Sequence, residues 1–169
     1  FRRVLFRSTG GIGLFATQLA VARGAVVTAV VGDKGMALAQ KWGVARVVNY
    51  RQTKVLEEGR TYDVVIELSD QWRFASTKHL LKPAGTFFAS LPNPVEFVPG
   101  LLGNLVSSRK FAMVGMRAKT EALLEVANEV VSGRVEVVVG KTFALAEYRE
   151  AYAESVARTT PGKVVFVAR

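Results

Sequence analysis

At 169 residues the chain is long enough for one domain with a buried core and short for two. Half of the residues are hydrophobic and 22% are charged, a globular balance that excludes disorder, and no apolar run approaches the ~20 residues of a membrane span. The formal charge of +9 favours anionic ligands such as a phosphorylated cofactor; the bases are not packed into runs, which argues against a specific nucleic-acid partner.

Arg3 to Phe6, with the apolar run Val4-Leu5-Phe6, is a candidate first strand. From Thr9 onward helical and strand patterns alternate with short connections, which predicts an α/β fold on a parallel sheet. Gly10-Gly11-Ile12-Gly13 opens a helix with Ile12, Phe15, Ala16, Leu19 and Ala20 at helical spacing, and Gly24 ends it. Val26 to Val31 is a largely β-branched run, as expected of a strand covered on both faces. A helix from Lys34 to Lys41 stops at Gly43, and Arg46 to Asn49 is a short third strand.

Tyr62 to Leu68 is read as a fourth strand, Trp72 to Leu81 as a helix, Lys82-Pro83-Ala84-Gly85 as a turn and Thr86 to Leu91 as a fifth strand. Pro92 to Ser108 holds three of the five prolines and is expected to be a long loop with a short helix. Lys110 to Met116 is a sixth strand and Thr120 to Ser132 an amphipathic helix. After Gly133, Val135 to Val139 is predicted as a strand, Leu145 to Val156 as a helix and Lys163 to Val167 as the last strand.

The glycine turn carries the clearest chemistry. A strand, a glycine-rich turn and a helix N-terminus together bind pyrophosphate, because glycine admits close backbone approach and the free amides and dipole of the helix face the anion. Gly10, Gly11, Ile12 and Gly13 fit that role. Leu68 and Ser69, Ser90 and Leu91, and Met113 and Val114 stand at or near strand carboxyl ends, where ligands lie in open α/β sheets.

Thr9-Gly10-Gly11-Ile12-Gly13, followed by Gln18-Leu19-Ala20 and Ala22-Arg23-Gly24-Ala25, resembles the phosphate loop and first helix of the quinone-reductase branch of the medium-chain dehydrogenase/reductase family. The resemblance continues through Val47-Val48-Asn49-Tyr50-Arg51, Tyr62-Asp63-Val64-Val65 and Leu80-Leu81-Lys82-Pro83. It resumes with Ser132-Gly133-Arg134-Val135, Val139-Gly140-Lys141-Thr142-Phe143 and Gly162-Lys163-Val164-Val165, so it covers nearly all of Thr9 to Arg169. It implies a Rossmann-type doubly wound parallel sheet over residues 9–139, and over 140–169 the C-terminal return segment of a truncated substrate domain. It also implies that Leu68, Ser69, Ser90, Leu91 and Val114 line the nicotinamide with backbone and small side chains. Glu67 ends its strand where an acid is common in the family, with a structural or ribose-side role.

Arg7 stands where the family's loop carries its first glycine. Phe1 to Ser8 also match, residue for residue, what one reading frame of a common short-read sequencing adapter encodes. Natural sequence is therefore expected to begin at Thr9, although Val4-Leu5-Phe6 is still able to fill a strand slot.

Cofactor preference turns on the end of the second strand, where NAD sites carry an acid for the ribose hydroxyls. Counting back from Lys41-Trp42-Gly43-Val44 puts that position on Val30, while counting ~20 residues forward from the glycines reaches Asp33. The first count, anchored on matched residues, is preferred. Gly32 then leaves room for a 2′-phosphate and Lys34 pairs with it, although Gly35 stands where the family commonly has a lysine. Tyr50 matches a family residue at the adenosine-phosphate end. The expected cofactor is NADP (NADPH).

Other patterns are set aside. Gly140-Lys141-Thr142 lacks the leading glycine of a phosphate loop, since Val135 stands there. Tyr50 and Lys54 have a Tyr-x-x-x-Lys spacing but follow the third strand immediately. Cysteine is absent and His79 is the single histidine, so disulfides and a zinc site within the segment are not expected. The resulting expectation is the nucleotide-binding portion of a cytoplasmic NADP-dependent oxidoreductase. It would act on a small-molecule quinone, enone or other activated carbonyl, with catalytic residues outside this segment. Membrane and specific nucleic-acid partners are not expected, and the sixth strand is a candidate edge for a homodimer. The alternative is a non-catalytic nucleotide-binding or structural protein on the same fold.

Overall fold

The computed structural model describes residues 1–6, 8–69, 71–90, 94–115, 119–157 and 159–168, with the side chains of Leu5, Phe6 and Pro94 also outside that description. Arg7 and Met116, each singled out from the sequence, lie outside the described residues.

The apolar, β-branched runs become the strands Arg2–Phe6 (β1), Val26–Val31 (β2), Arg46–Asn49 (β3) and Tyr62–Glu67 (β4). Leu81–Ala89 (β5) and Lys110–Met113 (β6) complete a six-stranded sheet. Its order is β3-β2-β1-β4-β5-β6 and every pairing is parallel. The chain winds outward from β1 to β3, then returns to β4 on the other side of β1. This reversal is the topological switch point of a doubly wound fold, with a crevice above the carboxyl ends of β1 and β4.

Side-chain alternation along β2 explains how both sheet faces are covered. Val27 packs with Ala20 of the helix Gly13–Ala22 (α1), and Ala29 and Val31 pack with Ala39 of Met36–Lys41 (α2). Val30 points the other way, into a cluster with Val4, Tyr62, Val65, Leu80 and Phe87. The short helix Phe74–Thr77 (α3) adds Phe74 to that cluster; its ring lies 5.8 Å from Phe87 and 5.6 Å from Phe111. Two further helices, Pro94–Gly103 (α4) and Thr120–Val131 (α5), flank β6 in sequence. Val139–Ala144 (β7) and Lys163–Val167 (β8) form a separate parallel pair, with Tyr148–Ala157 (α6) between them in the chain.

Several expected boundaries move, each for a physical reason. The helix expected over Trp72 to Leu81 shrinks to α3 and a 3₁₀ turn at Lys78–Leu80. Thr77 donates its hydroxyl back to the Arg73 carbonyl at 2.7 Å, a local bond that competes with helix continuation. Lys82 to Gly85 is no separate turn: β5 runs through it with a bulge, and Ala84 takes φ 64° where the register jumps between Tyr62 and Val64. The loop expected after Pro92 contains a ten-residue helix, α4.

The strand expected over Val135 to Val139 is absent. Glu136 instead pairs with a side chain: its amide donates to Gln18 Oε1 at 2.7 Å and its carbonyl accepts from Gln18 Nε2 at 3.0 Å. A side-chain amide occupies the place of a neighbouring strand, and pairing starts only at Val139. Val30 is buried one residue before the last of β2, so the preferred count places the acid position inside the strand; Asp33 is the acid just beyond it.

Candidate functional site

A cavity of about 580 Å³ opens above the carboxyl ends of β1, β2 and β4. All but one of its walls follow a strand. Thr9 and Gly10 come from the turn after β1, Gly32, Asp33 and Lys34 from the residues after β2, and Tyr50 and Arg51 from those after β3. Ser69, Gln71 and Trp72 follow β4, and Thr159, Thr160 and Pro161 close the cavity from the segment before β8.

The glycine turn leads into α1 with Gly13 as the first helical residue and Ile12 at the N-cap, where it makes no side-chain capping bond. No capping side chain therefore competes with an anion for the first-turn amides. A Cβ placed on Gly11 would sit 3.3 Å from Lys163 Nζ, and that ammonium lies 5.6 Å from the Phe15 ring centre. The start of β8 is tied to the same turn, because the Gly162 amide donates to the Thr9 carbonyl at 3.0 Å. A cation from the far end of the chain thus stands beside the helix N-terminus.

On the cavity wall after β2, Tyr50 folds against Gly32: a Cβ there would meet the ring and hydroxyl at 3.3 Å. Asp33 accepts from Asn49 Nδ2 at 2.6 Å and from Arg51 Nη1 at 2.8 Å. The Asn49 amide first, and then the Arg51 guanidinium, hold the Asp33 carboxyl below its ordinary range; the same pairing raises Arg51. Lys34 is exposed on the same wall.

Glu67 ends β4 as a buried carboxylate. It accepts from the Ser69 amide and hydroxyl and, at 3.1 Å, from the Trp72 amide. These contacts give it a structural task, holding the loop that presents Ser69 and Trp72 to the cavity. The far wall depends on Glu154, which accepts from Lys141, from the Thr160 hydroxyl and, at 3.2 Å, from the Thr159 hydroxyl. The Lys141 ammonium and then the Thr160 hydroxyl lower its carboxyl to about 2.

Of the residues singled out from the sequence, Gly10, Gly32, Lys34, Tyr50 and Ser69 share this one cavity. Gly11, Ile12 and Gly13 form the adjoining turn. Leu68 is half-buried just after β4. Ser90 and Val114 follow β5 and β6, where their amides donate to the Glu67 and Ala89 carbonyls, away from the cavity walls. Leu91 lies outside the described residues. Sequence reasoning missed Arg51, Trp72, Lys163 and the Thr159–Pro161 wall as site residues. Arg51 and Lys163 had a usable signal, since each lies within a matched motif. The threonines had none, because only the return of the chain to β8 brings them to the site.

His79 donates to the Leu56 carbonyl at 2.7 Å on the surface. Among the described residues no group of three or more His, Cys, Asp or Glu side chains comes together, so the donor set does not fit zinc. Among them, too, no helix is long and apolar enough to cross a membrane.

Comparison with known proteins places these features. The sequence signature of a family described as "Zinc-binding dehydrogenase" matches residues 42–166. A chloroplastic quinone oxidoreductase of Triphysaria versicolor is 26% identical over 94% of this chain and 50% of its own length. A quinone oxidoreductase of Pseudomonas aeruginosa is 30% identical over 97% of this chain and 56% of its own. The solved quinone oxidoreductase of Coxiella burnetii superposes with a TM-score of 0.87 at 21% identity, over 99% of this chain and 53% of that one. The Escherichia coli quinone oxidoreductase complexed with NADPH superposes at 0.75 with 23% identity, over 99% and 57%. The chain spans about half the length of the curated relatives it matches.

Proposed function

The chain belongs to the zinc-binding dehydrogenase family, and from that premise we propose that it is the nucleotide-binding portion of an NADPH-dependent oxidoreductase that reduces a quinone, enone or other activated carbonyl. The observation that carries this reading is the cavity at the switch point, lined by Thr9 and Gly10 of the turn that leads into the uncapped helix α1 and by Lys34 and Tyr50. The Gly13 end of α1, where the Leu14 amide is already bonded to the Gly10 carbonyl, and the Lys163 ammonium face a pyrophosphate. Lys34 and the Tyr50 hydroxyl, which lies against Gly32, face a 2′-phosphate. The family resemblance assigns Leu68, Ser69, Ser90, Leu91 and Val114 to the nicotinamide, and of these Ser69 lines the cavity.

When bound, the reduced nicotinamide supplies the hydride. The chain's own contribution is orientation: Glu67 fixes the loop carrying Ser69 and Trp72, and Glu154 fixes the wall at Thr159 and Thr160.

Trp72 lines the cavity and Trp42 is buried away from it, so quenching of tryptophan emission reports occupancy. Titration of the full chain with NADPH is expected to quench Trp72, with NADH binding more weakly. A folded sample that binds neither nucleotide would remove the functional reading while leaving the family membership intact.

A further inference from the structure

Arg51 is held by three contacts of its own neighbourhood. Nη1 donates to Asp33 Oδ2 at 2.8 Å, the backbone amide donates to Asn49 Oδ1 at 3.0 Å, and the guanidinium carbon lies 5.8 Å from the Tyr50 ring centre. The other Asp33 oxygen accepts from Asn49 Nδ2 at 2.6 Å. Asp33 and Arg51 both line the cavity beside Lys34 and Tyr50.

An acid just past the second strand ordinarily accepts ribose hydroxyls and so favours the unphosphorylated nucleotide. Here both Asp33 oxygens are already engaged, one by an amide and one by a guanidinium. A 2′-phosphate arriving at this wall meets two cations, Lys34 and Arg51, and one carboxylate that is already paired. Arginine has five donors in a planar fork, so bonding Nη1 to Asp33 does not exhaust its capacity for a phosphate.

We propose that Asp33 and Arg51 form a nucleotide-selectivity pair, in which Arg51 binds the 2′-phosphate alongside Lys34 and Asp33 is the positioning residue that holds the guanidinium over Tyr50. The pairing also withdraws the carboxylate from the ribose hydroxyls. Selectivity then resides in the pair: removing the arginine both deletes a phosphate donor and releases a ribose acceptor. This inference rests on the NADP reading of the cavity.

The test is calorimetric titration of the full chain with two probes, adenosine 2′,5′-bisphosphate and AMP. The unchanged protein is expected to prefer the bisphosphate. Arg51→Ala is expected to weaken the bisphosphate by about tenfold, the scale of one charge-assisted hydrogen bond, while AMP binding holds or tightens as Asp33 is freed. The double variant with Asp33→Asn is expected to lose any AMP gain, because the released acceptor is gone. Arg51→Lys, which keeps the charge and loses the fork, is expected to fall between the single variant and the unchanged protein.

A merely structural role would weaken both probes together, and an idle surface arginine would leave their ratio unchanged; either result overturns the pair. An unchanged protein that binds neither probe, or prefers AMP, overturns the NADP reading itself and the pair with it. The side chain of Arg51 is well exposed, so the variants are expected to fold, and a thermal unfolding scan verifies this.

Discussion

Gly35 is where a single atom decides the shape of the nucleotide wall. It is buried, and a Cβ there would lie 2.5 Å from Thr9 Oγ1, 3.0 Å from Thr9 Cγ2 and 3.2 Å from Val31 Cβ. Thr9 is itself buried and β-branched, so it has little freedom to yield. Gly35→Ala is expected to cost about 1–3 kcal/mol, the usual scale of overpacking, and to displace Thr9 into the cavity. Denaturant midpoints and nucleotide affinity should fall together; an unchanged midpoint would show that Thr9 moves freely. The same contact accounts for the missing family lysine, because a long side chain has no path out between Thr9 and Val31. Lys34, one residue earlier and exposed, is the cation this backbone is able to present. That much was legible in the sequence as a lysine beside a glycine. Asp33 was the harder residue: its pairing with Asn49 and Arg51 depends on β2 and β3 lying side by side, and no local pattern records it.

At the scale of elements, strand and helix runs were readable wherever one residue type dominated a whole segment, as in β2 and α1. Reading failed where a side chain stood in for backbone. Gln18 takes the strand-pairing role against Glu136, and Thr77 turns its helix with a back-bonded hydroxyl. The wall before β8 belongs to the same class, since its place depends on one carboxylate in α6. Glu154 has its carboxyl lowered from the ordinary 4.5 to about 2, the Lys141 ammonium being the first cause. A carboxyl depressed in the folded state adds stability that is fully present above pH 4.5 and is lost as the pH falls toward about 2. The thermal midpoint of the unchanged protein is therefore expected to exceed that of Glu154→Gln above pH 4.5, with the gap closing on acidification. Because Thr159 and Thr160 share this carboxylate, the variant is also expected to bind nucleotide more weakly at neutral pH. A pH-independent gap would show that Glu154 acts through packing alone.

For the whole molecule, the parallel α/β sheet followed from the alternating pattern and its doubly wound form from the family resemblance, but the finish of the sheet edge followed from neither. β6 is an outermost strand, and unpaired backbone at such an edge is a template for association with a second chain. Asn104, just beyond α4, covers part of it. Its Oδ1 accepts from the Phe111 amide at 2.7 Å and its Nδ2 donates to the Phe111 carbonyl at 2.8 Å, the two bonds a neighbouring strand would make. Beside it Leu105 and Val106 are 83% and 92% exposed, an apolar margin next to a blunted edge. Asn104 thus works against a homodimer at the candidate edge of the sixth strand, while the apolar margin works for one. Asn104→Ala removes both bonds and restores the free edge, so it is expected to lower stability by about 1–3 kcal/mol and to raise self-association. Sedimentation at several concentrations separates the two effects: destabilisation alone leaves the folded species monomeric, whereas an opened edge gives a concentration-dependent rise in mass. A variant that sediments like the unchanged protein would mean that α4, and not Asn104, keeps a second strand away from β6.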